Sequence, residues 1–395
     1  MNYYDLACSM KDELIRHRRY FHQNAEVGLN LPKARQYVME TLTQYGISPT
    51  PCGHGVTALI GAGQPVILLR ADMDALPMPE ESGLAFSCPT GKEAHCCGHD
   101  FHAAMLLTAA KLLKANESAL KGTVKLMFQP AEETFEGAPD MIRNGILSDP
   151  KPDAAVAYHV SAGKISPGTF FYNDTQSAVL FSMDGFTITI KGRGAHGAFP
   201  HQSVDPINIG VHIHLALQEL IARECDPQSA CLVTVGQFSA GSAPNIIPET
   251  AVMRGTIRSN NSETRALLVR RVQEVAERTA AVYGGTATVE MSDGVPPLIC
   301  DPDFTKEIVR SIQELPIPVW TGISGASAAA SEDFAYIASK IPGTYIQLSA
   351  GFEDERGNAS AHNPRVQFNE DVLPIGAACM AHCAAEWLKQ HGAAE

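Results

Sequence analysis

Three short, near-continuous apolar runs, at residues 66–69, 124–128 and 154–157, constrain this chain more than any other feature. A strand with one wet face alternates apolar and polar side chains, so an unbroken run marks a strand buried on both faces, as in a largely parallel sheet covered by helices. Each run ends in a polar cluster, and an Ala- and Leu-rich stretch at residues 102–115 reads as a helix between the first two. The order strand, helix, strand, strand, with further helices between, predicts a layered α/β domain. Upstream, residues 12–21 and 33–45 read as helices, the second with Val38, Leu42 and Tyr45 repeating along it and Gly46 as its stop.

At Gly185 the pattern changes. Residues 186–191 alternate with period two, as a half-solvated antiparallel strand does. A helix follows with Asp205 as N-cap and Pro206 in its first position, its apolar face read from Ile207, Val211 and Leu215. Strands are predicted at 231–236 and 249–258, a helix at 263–283 stopped by Gly284 and Gly285, and a strand at 286–291. This strand-helix-strand-strand-helix-strand order resembles a small ferredoxin-like α+β sandwich. After Pro296 and Pro297 the chain returns to helix and apolar-strand segments up to Glu395. We therefore expect a discontinuous α/β domain with a mostly parallel sheet, residues 1–184 and 295–395, interrupted by a smaller domain at 185–294.

With 395 residues, 45% of them apolar, the chain can bury a large core. Its 43 acidic against 30 basic residues give a net charge of −13, which repels phosphate backbones and anionic lipid. No basic run overrides that field, so we expect neither a nucleic-acid nor a membrane partner. The first residues carry charges at Asp5, Lys11, Asp12 and Glu13 in place of an apolar leader, and no later stretch is long and apolar enough to span a bilayer. Ten cysteines without a CxxC spacing read as buried small hydrophobes or ligands in a reducing compartment. The expected location is the cytoplasm.

The densest group of chemically active residues is His95-Cys96-Cys97-Gly98-His99-Asp100-Phe101-His102. A thiolate and two or three imidazoles within one turn can serve one metal, with Asp100 accepting the outer N–H of a ligating ring. Glu132 and Glu133 follow the second apolar run, at the strand end where open α/β sheets place their ligands. On an extended backbone two adjacent carboxylates point apart, so one could bind a metal while the other handles protons. His159 ends the third run, and His362 lies in the turn-prone Ala361-His362-Asn363-Pro364. Each alone is more simply a hydrogen-bonded structural residue; their joint occurrence beside sheet elements favours a site. Gly192-Arg193-Gly194-Ala195-His196-Gly197 spells GxGxxG, but the next helix starts near Asp205 rather than at the glycines, which excludes a dinucleotide fingerprint. No GxSxG or Walker A string occurs.

Several strings together resemble a known family. Arg70-Ala71-Asp72-Met73-Asp74-Ala75-Leu76-Pro77, Cys97-Gly98-His99-Asp100, Gln129-Pro130-Ala131-Glu132-Glu133, Gly194-Ala195-His196-Gly197, Asn245-Ile246-Ile247-Pro248, Ser331-Glu332-Asp333-Phe334 and His362-Asn363 run in the order found in the aminoacylase/glutamate-carboxypeptidase family of dinuclear metallohydrolases. More narrowly they resemble its amidohydrolase branch, which includes hippurate hydrolases and auxin-conjugate hydrolases.

The resemblance implies that Cys97, His99, Glu133, His159 and His362 hold two divalent metals, with Cys97 bridging, and that Glu132 is the general base toward an activated water. Zinc or manganese is implied first, nickel or cobalt as alternatives. Asp72 and Asp74 stand where the wider family carries a ligand histidine, and are then supporting residues. On the inserted domain, the lid or dimerisation domain of the family, the resemblance points to His196 as a catalytic hydrogen-bond donor reaching a partner subunit, and to Asn245 and Arg258 as substrate-binding, Arg258 being as well explained as a surface strand arginine. Cys96 and Ala25 depart from the branch without removing a ligand. The implied reaction is hydrolysis of the amide in an N-acyl amino acid or similar small conjugate, by a homodimer or a higher homo-oligomer. The alternatives are a dipeptidase or carboxypeptidase of the same family, and a catalytically silent small-molecule-binding relative.

Overall fold

The computed structural model describes residues 2–292, 294–317 and 321–392; residues 1, 293, 318–320 and 393–395, which the predicted domains also span, lie outside that set. The chain divides into two units, one comprising Met1–Val179, Ile299–Ser327 and Glu332–Glu395, the other Leu180–Leu298 and Ala328–Ser331.

The first unit is built on an eight-stranded sheet in the order Pro49–Cys52, Gly55–Gly61, Thr123–Gln129, Val66–Asp72, Ala154–Ser161, Gly343–Ser349, Thr169–Phe171, Thr321–Ile323. The four central strands are parallel. Every residue of Val66–Asp72 is buried, and the helices His99–Ala115 and Leu373–His391 pack on each other over the face that carries Ile67, Leu69 and Ala71. Helix His99–Ala115 is itself buried almost all round, which is why its sequence is Ala and Leu on every side. The chain leaves Val66–Asp72 to build the neighbour on one side, Thr123–Gln129, and then returns to build the neighbour on the other, Ala154–Ser161. Such a reversal opens a crevice at the carboxyl ends of the strands.

Helix His99–Ala115 starts three residues before the predicted 102, so His99 and Asp100 lie in its first turn. Gly98 is its N-cap, at φ +91°, and a Cβ there would come within 2.4 Å of Val160 Cγ2. Both the dihedral and the space demand glycine between Cys97 and His99. A further helix, Tyr3–Ser9, was not legible in the sequence. At seven residues it is too short to show a period, and it is capped by the Asn2 side chain, which accepts from the Tyr4 and Asp5 amides.

The second unit holds a four-stranded antiparallel sheet in the order Cys231–Ala240, Thr250–Ser259, Ser182–Lys191, Thr286–Met291. Helices Pro206–Glu219 and Ser262–Val282 pack on it, joining Ile188, Ile190, Met253 and Ile257 to Ile213, Leu217, Leu268 and Val272 in one core. This is the ferredoxin-like arrangement. The face of Pro206–Glu219 that enters the core carries Ile209, Ile213 and Leu217, whereas Ile207, Val211 and Leu215 stay 39%, 46% and 58% exposed. The helix has two apolar stripes, and the one read from the sequence is the outer one. Among the described residues no helix is long and apolar enough to cross a membrane.

Candidate metal centre

The strand ends of the first unit bring five of the expected donors together. His99 Nδ1 lies 3.0 Å from the Asp74 carbonyl oxygen and 3.2 Å from Asp74 Oδ1, so Nδ1 donates there and Nε2 is the ring nitrogen left to meet a metal. That Nε2 is buried and has no hydrogen-bond partner. It faces Glu133 Oε1 at 3.8 Å, Glu132 Oε2 at 3.9 Å and Asp72 Oδ2 at 3.8 Å. His159 donates from Nδ1 to the Val160 carbonyl at 2.7 Å, which leaves its Nε2 lone pair 3.6 Å from Cys97 Sγ. His362, at φ +63°, places Nε2 3.4 Å from Glu133 Oε1, and its backbone N–H donates to the Cys96 carbonyl at 2.9 Å.

Two donor triads follow, Cys97 with His99 and His159, and Cys97 with Glu133 and His362, the ligand atoms of each lying within 4.8 Å of one another. They share the cysteine. A soft sulfur, three imidazoles and a carboxylate form a set that divalent transition ions accept. Glu133 Oε1 is, like His99 Nε2, buried without a hydrogen-bond partner. The residues present therefore fit two divalent ions.

Several expectations need correction. Glu132 and Glu133 do not point apart: Ala131 is left-handed at φ +52°, the backbone turns, and both carboxylates reach within 4 Å of His99 Nε2. Asp100 does not serve a ligating ring. It accepts from Arg18 and His22, and the residue that orients His99 is Asp74. His102 has no free nitrogen, since Nδ1 lies 2.5 Å from Asp72 Oδ1 and Nε2 accepts the Val160 N–H at 2.8 Å.

The residues missed by composition and spacing are Arg70, Glu332 and Asp333. Arg70, fully buried, donates to Gln129 Oε1 at 2.9 Å, Asp72 Oδ2 at 2.7 Å, Glu332 Oε1 at 2.7 Å and Asp333 Oδ1 at 3.0 Å. An arginine ending an unbroken apolar run was the available signal, because a buried guanidinium demands carboxylates. Burial, followed by the nearby Glu332, Glu133 and Asp333 carboxylates, pushes the Glu132 carboxyl well above the usual carboxylate range.

The remaining expected site residues belong to the second unit. Ala195 and His196 pair with Ile247 and Ile246, and the Gly197 amide donates to the Asn245 carbonyl at 2.8 Å, so His196 and Asn245 are neighbours. The exposed His196 ring accepts the Ala198 N–H at Nδ1, 3.1 Å. Arg258 donates to the Ala329 carbonyl at 3.1 Å and to Ser331 Oγ at 2.9 Å.

The model of peptidase family M20/M25/M40 matches residues 68–386. The chain is 36% identical over 392 residues to the IAA-amino acid hydrolase ILR1-like 2 of Arabidopsis thaliana, an alignment covering 96% of this chain and 86% of that protein. It is 35% identical over 370 residues to the N-acetyl-L-cysteine deacetylase of Bacillus subtilis strain 168, covering 92% and 86%. The crystal structure of the Bacillus subtilis YXEP protein, described as a dinuclear metal binding peptidase from the M20 family, superimposes with a TM-score of 0.81 at 28% identity, covering 96% of this chain and 99% of that one. Matched over most of its length, and with donors for two divalent ions at its strand ends, the chain belongs to peptidase family M20/M25/M40 and is a metal-dependent amidohydrolase.

Proposed function

We propose that Cys97, His99, Glu133, His159 and His362 hold two divalent ions, zinc or manganese, with Cys97 shared between them. We further propose that Glu132 is the general base for hydrolysis of the amide in an N-acyl amino acid or similar small conjugate. One observation carries the reading: His99 Nε2 and Glu133 Oε1, both buried and without a hydrogen-bond partner, lie 3.8 Å apart. A buried polar atom left without a partner costs about 1–3 kcal/mol, and a cation between the two removes that penalty. When bound, the ions would polarise the amide carbonyl and make a water acidic. Glu132, with its carboxyl raised in pKa, is suited to take that proton and deliver it to the leaving nitrogen.

His196 accepts at Nδ1, so its proton sits on Nε2 and the exposed ring can donate to a developing oxyanion; we assign it to the active site of a partner subunit. Asn245, beside it, is assigned to substrate binding, and so is Arg258, whose guanidinium also donates to Ala329 and Ser331. The outer apolar stripe Ile207, Val211 and Leu215 supports homodimerisation through the second unit. Ten free cysteines support a cytoplasmic location. Similarity to an IAA-amino acid hydrolase and an N-acetyl-L-cysteine deacetylase supports the substrate class.

The test is elemental analysis of protein purified without chelator and reloaded with zinc or manganese, then assay on N-acetyl amino acids, N-benzoyl amino acids and dipeptides. About two metal equivalents and turnover of N-acyl substrates are expected. Absence of stoichiometric metal overturns the ligand assignment; dipeptides cleaved in preference to N-acyl amino acids overturn the substrate class.

A further inference from the structure

Asp100 directly follows the donor His99, yet its carboxylate turns away from the metal donors. Its Oδ2 accepts from Arg18 Nε at 2.7 Å and lies 2.8 Å from His22 Nδ1. Its Oδ1 accepts the Phe101 amide at 3.1 Å. Arg18 and His22 are one helical turn apart on Lys11–Gln23, and both are buried. Arg18 Nη1 also donates to Glu370 Oε1 at 3.1 Å, on the short 3-10 helix Glu370–Val372 that follows the loop bearing His362. Arg19 adds two bonds to the same carboxylate, at 3.0 and 2.7 Å. The far nitrogen of His22 lies 3.1 Å from both Glu80 oxygens.

One N-terminal helix thus grips the first turn after Cys97 and His99, at Asp100, and the 3-10 helix that ends the loop bearing His362, at Glu370, two segments far apart in sequence. The turn needs such a grip. Gly98 is the residue between two donors, and glycine supplies the required dihedral without the rigidity to hold it. A buried guanidinium–carboxylate pair contributes little net stability relative to an apolar replacement, so its value here is geometric.

We infer that Arg18, with His22, is a positioning residue of the metal centre: through Asp100 and Glu370 it braces the turn of Cys97 and His99 against the loop of His362. The inference rests on the assignment of those three residues as donors. None of the bracing side chains is among those donors, so the brace acts by holding backbone.

The experiment compares full-length wild type, Arg18→Met and Glu370→Gln. Zinc affinity is measured by competition with a chromophoric chelator, and Tm is recorded with and without zinc. In Arg18→Met, zinc binding should weaken about tenfold or more, and the zinc-induced rise in Tm should shrink. In Glu370→Gln the Asp100 pair survives, and only one of the two zinc equivalents should weaken. A purely structural role predicts equal loss of Tm with and without zinc at unchanged affinity; that result overturns the brace. If Arg18→Met does not fold, Glu370→Gln decides, and wild-type affinity for both equivalents overturns the inference. Wild-type protein that binds no zinc overturns the donor assignment and the brace together, whereas wild-type binding with unaltered variants overturns the brace alone.

Discussion

Asp74 holds both His99 and Glu133: its Oδ1 lies 3.2 Å from His99 Nδ1, and its Oδ2 accepts the Glu133 backbone amide at 3.1 Å. One carboxylate therefore orients the imidazole and fixes the backbone of the carboxylate that we propose as metal donors. Asp74→Ala should lower metal affinity by about 10- to 100-fold while leaving the fold in place. Chelator competition beside circular dichroism checks this, and unchanged affinity in a folded variant would count against any support role for Asp74.

Glu132 and Glu133 are neighbours with different environments. Glu132→Gln keeps the shape and removes the base, so it should retain metal and lower kcat by about 10²-fold or more. Glu133→Gln should lose metal first. Elemental analysis of both variants beside their kinetics separates the roles; equal metal loss in the two would contradict the division.

His196→Ala should depress kcat by about 10²-fold with metal content intact, since an oxyanion donor acts on the transition state. Mixing inactive His196→Ala with inactive Glu132→Gln under conditions of subunit exchange should restore activity, because one mixed site would hold Glu132 from one chain and His196 from the other. Demonstrated exchange without recovery places the histidine in its own subunit.

His17 makes an acid-side prediction remote from the metal donors. Its Nδ1 lies 2.7 Å from the Tyr37 hydroxyl and its Nε2 2.8 Å from that of Tyr45, whose own proton goes to Glu13. Burial pushes the imidazole down to about 4. Between the unfolded value near 6.5 and the folded one, only the unfolded chain takes up the proton. The stabilising contribution is complete above about pH 6.5 and is lost as pH falls to about 4, amounting to about 3 kcal/mol. In urea titrations from pH 7.5 to 4, His17→Gln should lose less stability than wild type by about that amount; parallel losses would show that His17 does not titrate in this way.

How much of this was legible follows from what burial leaves in a sequence. The central strands were readable because a strand covered on both faces cannot hide its composition, and every residue of Val66–Asp72 and Thr123–Gln129 is buried. The chemistry at their ends could be narrowed to a few histidines, one thiol and a carboxylate pair. The orientation of that pair could not, because it depends on the left-handed dihedral of Ala131, a residue type that normally avoids it. Partnerships were least accessible. Arg70 reaches Glu332 across 262 residues, and nothing in local spacing ties the two. On helix Pro206–Glu219, two apolar stripes on one short element made the inner one indistinguishable by period alone.

The place of strand Gly343–Ser349, between Ala154–Ser161 and Thr169–Phe171, has a consequence for biosynthesis. On a ribosome the whole second unit, Ala328–Ser331 included, emerges before that strand exists. Until then Ala154–Ser161 presents an open hydrogen-bonding edge, and it does so in an apolar segment. Open apolar edges are templates for aggregation. Nascent chains stalled near residue 300 should therefore engage holding chaperones, and release should coincide with emergence of residues 343–349 from the exit tunnel.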